Sequence, residues 1–145
     1  MKINSFFKNS ILFLIGGSVY WLIEFVYKTY IHSGNTHWTM FILGGLSFLI
    51  LGSLNENIPW NWSLLTQGLI GTAIITSLEF LFGYILNIQL QLNIWDYSHL
   101  PFNYKGQICL SFSCLWFILG LIGIILDDFL RWKIFDEEKP YYHII

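Results

Sequence analysis

The chain has 145 residues, of which 55% are hydrophobic and 11% charged, and a formal net charge of −2. A soluble domain carries about a quarter charged residues, so this composition excludes a water-soluble globule. The charged residues form no basic patch, which sets aside nucleic acid as a partner. The class that remains is a small integral membrane protein, with the lipid bilayer as its first partner.

A transmembrane helix needs about 20 mainly apolar residues. Four segments read as such helices, at about 7–30, 38–54, 62–92 and 106–135. They predict an all-α, polytopic membrane protein of four transmembrane helices, forming a single transmembrane domain over residues 1–145. Lys2 and Lys8, followed by an apolar run from Ile11, imitate a signal peptide. The run continues past Glu24 without a small-residue cleavage pattern, so it is expected to stay as the first helix. The third and fourth segments are long enough to tilt, kink or extend beyond the lipid. All three prolines, Pro59, Pro101 and Pro140, fall outside the spans, as expected when proline costs a helix interior about 3 kcal/mol. Cys109 and Cys114 would point to different sides of one helix, so no intrachain disulfide is expected.

Basic residues set the orientation. Lys2, Lys8, Arg131, Lys133 and Lys139 fall at the two chain ends, and Lys28 and Lys105 fall on the opposite side. Five against two places both the N and C termini in the cytoplasm by the positive-inside rule. Trp38 and Trp95 then sit at the outer interface, Trp60, Trp62 and Trp132 at the inner one, and Trp21 and Trp116 pack mid-helix. The triplet Asn61-Trp62-Ser63 matches a glycosylation acceptor, but at an inner helix start it reads as chance. Asn55 to Pro59 reads as a helix C-terminus followed by proline, and residues 136–139 as a solvated helix end.

An ionisable residue within a span is costly, and it faces the bundle interior or a polar cavity. Glu24 in the first helix and Glu79 in the third meet this description, and both fall in the outer half. Glu24 has Lys28 four positions on, well placed for an ion pair. Glu79 has no such neighbour, which favours a functional or hydrogen-bonding role. It shares a face with Gly68, Thr72, Thr76, Gly83 and Asn87, whose small residues allow close helix approach.

The outer loop of residues 93–107 combines Asp96, Ser98, His99 and Asn103 with Trp95, Tyr97 and Phe102. Two readings stand side by side. One is a well-capped connection, with Asp96 or Ser98 capping a turn and Asn103 starting helix four. The other is a plug or binding lid over the polar cleft.

Several chemistries have no motif here. The chain carries no P-loop for ATP, and neither a G-x-S-x-G nor an H-E-x-x-H pattern. His32, His37, His99 and Asp96 match no metal-ligand spacing. Asp96, Ser98 and His99 are too close in sequence to meet as a hydrolase triad. No catalytic residue, metal site or cofactor is expected.

The strings Glu79-Phe-Leu-Phe-Gly-Tyr-Ile-Leu-Asn87, Trp95-Asp-Tyr-Ser98, Pro101-Phe-Asn103 and Gly106-Gln-Ile-Cys-Leu110, then Trp116, resemble the CmpB-like family of ABC-transporter permeases, relatives of TMEM229-type membrane proteins. The resemblance covers residues 72–116. It implies a multi-pass protein of the bacterial plasma membrane. Its signature positions here are Glu79, Asn87, Trp95, Asp96, Tyr97, Ser98, Pro101, Asn103 and Gln107. With Glu24, these positions (Pro101 apart) make the expected polar or substrate site near the outer face. Four helices are few for a transport pathway, so the permease reading requires homo-oligomerisation or other membrane subunits, and a separate ATPase subunit. A non-transporting scaffold or regulatory subunit is the alternative. A membrane enzyme acting on a lipid or quinone, with Asp96 and Glu79 as acid and base, is the third.

Overall fold

The structure is a computed structural model that describes residues 4–59 and 61–145. The expectations placed on Lys2 and Trp60 lie outside the described residues, as does the side chain of Asn55.

Four helices account for the architecture. Helix α1 spans Ser5–Tyr27, opened by Asn4, whose Oδ1 accepts from the Phe6 amide at 3.1 Å. It widens into a π-turn at Lys28–His32 and stops at Ser33, which is left-handed at φ 50°. Helix α2 spans Thr39–Asn57. Ile58 is extended there because a residue before proline avoids the helical region. Helix α3 spans Leu64–Gly83 and widens into a second π-turn, Tyr84–Gln89. Ser63 caps it by accepting from the Thr66 amide at 3.2 Å, which gives the Asn61-Trp62-Ser63 triplet a structural reason. Helix α4 spans Leu110–Phe135 and ends on left-handed Asp136.

Three boundaries differ from expectation. Helix α2 runs on to Asn57 rather than stopping near residue 54. The third helix stops at Gln89 rather than near residue 92, because Gln91 and Asn93 take positive φ. The fourth begins at Leu110, not near Gly106. The intervening residues form a two-stranded antiparallel hairpin, β1 (Asn103–Tyr104) with β2 (Ile108–Cys109).

Three stretches are long and apolar enough to cross a membrane: Ser5–His32, Leu64–Gln89 and Leu110–Phe135. The apolar part of α2, Thr39–Leu54, is shorter. Burial is inverted relative to a soluble protein. Leu69, Ile118 and Ile122 are more than half exposed, whereas Gln67, Glu79, Asn87, Asp127, Asp128 and Arg131 are buried. That is the arrangement lipid demands, since polar groups need internal partners when no water is available.

Helices α1 and α2 pack through reciprocal glycines. Phe48 lies over Gly16 and Phe41 over Gly17, while Tyr20 lies over Gly44 and Phe13 over Gly45. A Cβ at any of the four would collide with that ring or its backbone, so small residues set the helix separation. The expected packing face of α3 meets α4: Leu121 and Phe117 cover Gly68, and Thr76 Oγ1 lies 3.1 Å from Ser113 Oγ. Leu51, Leu54, Ile75, Trp116 and Ile124 form the core between α2, α3 and α4. Lys8 pairs with Glu137, so both chain ends lie at one end of the bundle, here the termini end. The loop of residues 93–107 lies at the other, the loop end.

Candidate functional site

The loop end is built around Glu79, which is 3% exposed. Its two oxygens have separate donors. The Tyr97 hydroxyl donates to Oε1 at 2.9 Å, and the Trp116 indole N–H donates to Oε2 at 2.9 Å. One acid on α3 thereby ties the loop to α4. Tyr97 is further held by stacking on Phe112, with ring centroids 4.5 Å apart. Burial first, then the nearby Glu79 carboxylate, pushes the Tyr97 phenol far above its usual range, so it remains a donor.

The π-turn after α3 presents a second fastening. Asn87 Nδ2 donates to Gln107 Oε1 at 2.9 Å, and Asn87 Oδ1 accepts from the Ile94 amide at 2.6 Å. The Trp95 indole N–H donates to the Gln107 carbonyl at 3.0 Å. The widened turn carries a buried polar side chain to the point where the loop departs, a placement in keeping with π-bulges at functional positions.

Asp96, Ser98 and Asn103 shape the loop. The Ser98 amide donates to Asp96 Oδ1 at 2.8 Å. The Ser98 amide and hydroxyl hold the exposed Asp96 carboxyl below the usual carboxylate range. Of the two readings of the loop, the capped connection starts helix four at Asn103, which instead lies in β1. Its Nδ2 donates to the Leu100 carbonyl at 2.8 Å, and its Oδ1 accepts from the Gly106 amide at 3.0 Å. Short side-chain bonds to nearby backbone favour turns over helix. Gly106 sits at φ +67°, with Asp96 Oδ1 2.7 Å from where a Cβ would lie.

Glu24 and Lys28 pair at 2.9 Å, as the spacing predicts. Lys28 also donates to the Ile94 carbonyl at 3.1 Å and the Asn35 carbonyl at 3.4 Å. Its ammonium thus fastens α1 to the start of the loop. Glu24 Oε2 is buried and has no hydrogen-bond partner among the described residues.

These elements enclose a cleft of about 630 Å³, whose wall includes Tyr20, Glu24, Lys28, Tyr27 and Trp116 and whose roof includes Trp95, Asp96 and Tyr97. Of the residues expected to form the site, Glu24, Trp95, Asp96 and Tyr97 line this cleft. Glu79 lies behind Tyr97 and Trp116 and lines a neighbouring cavity instead. Asn87, Gln107, Ser98 and Asn103 act on the loop from outside the cleft wall.

Sequence reasoning missed part of this arrangement. Trp116 was expected to pack, and it is buried, but it is also Glu79's second donor. Tyr20 lies against Trp116, with ring centroids 5.7 Å apart. At the termini end, Asp127 and Asp128 are not among the residues the sequence singles out, and Arg131 reads there only as an interface cation. All three are buried, and Arg131 Nε donates to Asp127 Oδ2. Their spacing, an acid four residues before an arginine inside an apolar run, was the available signal. The tail is also more engaged than a solvated helix end. Glu137 meets Lys8 and lies 3.7 Å from Arg131, the Tyr142 hydroxyl donates to Asp128 Oδ2 at 2.7 Å, and the His143 carbonyl accepts from the Leu64 amide at 2.7 Å.

Fold and site together define a multi-helix membrane protein with buried polar fastenings and a cleft at one end. The sequence matches the family described as "Putative ABC-transporter type IV" (CmpB) over residues 11–141, and the chain belongs to that family. The match extends the resemblance from residues 72–116 to nearly the whole chain. No solved structure matches the chain.

Proposed function

We propose that the chain is the membrane-embedded, permease-like component of an ABC-type transport system, with the cleft as its substrate site. The cleft of about 630 Å³, with an ion pair in its wall and a latched loop as its roof, is the observation that supports this reading. Both termini lie in the cytoplasm, on the strength of the five-to-two distribution of basic residues, so the loop end faces outward. ATP hydrolysis belongs to a separate subunit, because the chain has no P-loop. Further copies or other membrane subunits complete the pathway.

In this reading Glu79 is the latch of the roof rather than a conducting group, since both its oxygens already accept hydrogen bonds. Reconstitution in liposomes with a screen of solute and ion flux tests the proposal. Wild-type protein should pass at least one solute above the empty-vesicle rate, and Tyr97→Phe, which removes the latch hydroxyl, should raise that rate. Flux identical to empty vesicles for both proteins, whether the chain is reconstituted alone or with whatever ATP-binding subunit a pull-down from its native membrane yields, would sink the permease role. A cysteine placed at Ile145 should react with an impermeant maleimide only after permeabilisation; labelling in intact cells would reverse the orientation.

A further inference from the structure

The cleft does not stop at its floor. Tyr20, Ile23, Trp116 and Leu119 line both it and a second, narrower cavity of about 110 Å³. The second cavity runs one to two turns toward the termini end, past Gly16, Leu43 and Leu126, and its lining is apolar apart from Ser47, Glu79 and the polar atoms of Tyr20 and Trp116. Val19 and Ile122, 40% and 56% exposed, stand among its lining residues on the lipid-facing surface. Between α1 and α4 the gap is bridged by rings, Tyr20 on Trp116 and Tyr27 on Phe112. The composite space is therefore polar at the loop end and apolar below, and its lining reaches the lipid-facing surface at Val19 and Ile122.

The polar part has a definite chemical bias. The Lys28 ammonium has three donors and three acceptors around it: Glu24 Oε1, the Ile94 carbonyl and the Asn35 carbonyl. It has no proton left for an incoming anion. The Trp95, Tyr97 and Trp116 donors are likewise engaged with the protein. Glu24 keeps one oxygen unpartnered. Across both cavities the lining carboxylates are Glu24, Glu79 and Asp96, against the Lys28 ammonium and the imidazoles of His32 and His99. An excess of carboxylates among lining aromatics, Tyr20, Tyr27 and Trp95, suits a cation, which is attracted to both carboxylates and aromatic rings.

We infer that the cleft and the groove below it form one binding site for a membrane amphiphile, which enters sideways between α1 and α4 with a protonated amine head beside Glu24 and an apolar tail in the groove. The inference rests on the cleft being the substrate site of the transport reading, but binding does not require transport to occur.

The test is lipid retention by the full chain in nanodiscs made from equal amounts of phosphatidylethanolamine and phosphatidylglycerol, read by native mass spectrometry. Wild-type protein should retain the amine-bearing lipid over the anionic one. Glu24→Gln, which removes the charge, should reduce that preference by about thirtyfold or more, the low end of the range for truncating one partner of a buried charge pair. Ile23→Trp, which narrows the neck shared by the two cavities from a position already 45% exposed, should abolish retention while the protein stays folded. It serves as the deciding variant if Glu24→Gln fails to fold. Dodecylamine should displace the retained lipid and ethanolamine should not, which separates an amphiphile from a free amine. Equal retention of the two lipids, a preference for phosphatidylglycerol, displacement by ethanolamine, or an unaltered preference in Ile23→Trp would each overturn the inference. Selective retention without flux would remove the transport reading alone. Flux of a soluble solute without lipid selectivity would remove this inference alone.

Discussion

At the loop end, Glu79 meets two neutral donors, one from the loop and one from α4. At the termini end, Asp127 meets a guanidinium four residues along its own helix, and its Oδ1 has no partner among the described residues. Both acids are nearly inaccessible, at 3% and 0% exposure. They differ in what their partners accomplish. The Glu79 bonds join segments 18 and 37 residues apart, so they position a roof. The Asp127 bond is local. It leaves Arg131 free to approach Glu56 on α2 and Glu137 in the tail, so this end is knitted by charge. Opening the Glu79 latch parts the acid from two neutral donors and strands no cation. A buried ion pair cannot separate so cheaply, because removing one partner strands the other.

The largest expected effect follows from that contrast. Arg131→Met should destabilise the protein by about 3–5 kcal/mol by leaving Asp127 uncompensated, as measured by denaturation of the detergent-solubilised chain. Adding Asp127→Asn should recover most of the loss. If the double variant is as unstable as the single, the termini end is not held by this pair.

Glu79→Leu should cost about 1–3 kcal/mol for each donor it orphans and should speed hydrogen exchange in residues 93–107 while α1 and α2 exchange as before. A uniform increase across all helices would erase the distinction between latch and scaffold. Gly106→Ala places a side chain at φ +67° beside Asp96. The backbone conformation alone costs about 1–2 kcal/mol, and exchange should again rise in the loop. The smallest effect is expected from Ser63→Ala, which removes the α3 cap at a cost of about 1 kcal/mol. It should lower the midpoint of thermal unfolding without changing exchange in the roof.

The helices were legible because apolar runs of bilayer length have few other uses. The Glu24–Lys28 pair was legible because its partners are one turn apart. Asn103 shows where legibility ended. Its side-chain bonds bend the chain into a hairpin of two-residue strands, too short to leave any periodicity. Glu79 could be singled out from its cost in an apolar span, but its donors could not, because Tyr97 and Trp116 reach it only once α3, α4 and the loop have packed. Asp127 and Asp128 escaped notice because they lie near the end of a long run, where a charge looks like a helix reaching water. Only the returning tail, with Tyr142 on Asp128, shows that this end is covered.

The reciprocal glycine seam between α1 and α2 bears on how the protein reaches the bilayer. The apolar stretch of α2, Thr39–Leu54, falls short of the length that lets a helix partition into lipid unaided. Synthesis delivers α1 first, with Gly16 and Gly17 already set to receive Phe48 and Phe41. The second helix is therefore expected to enter lipid against α1, as one half of a hairpin. A bulky residue at Gly16 or Gly17 would be felt earliest as a failure of biogenesis, with chains degraded at the translocon before any cleft exists to be occupied.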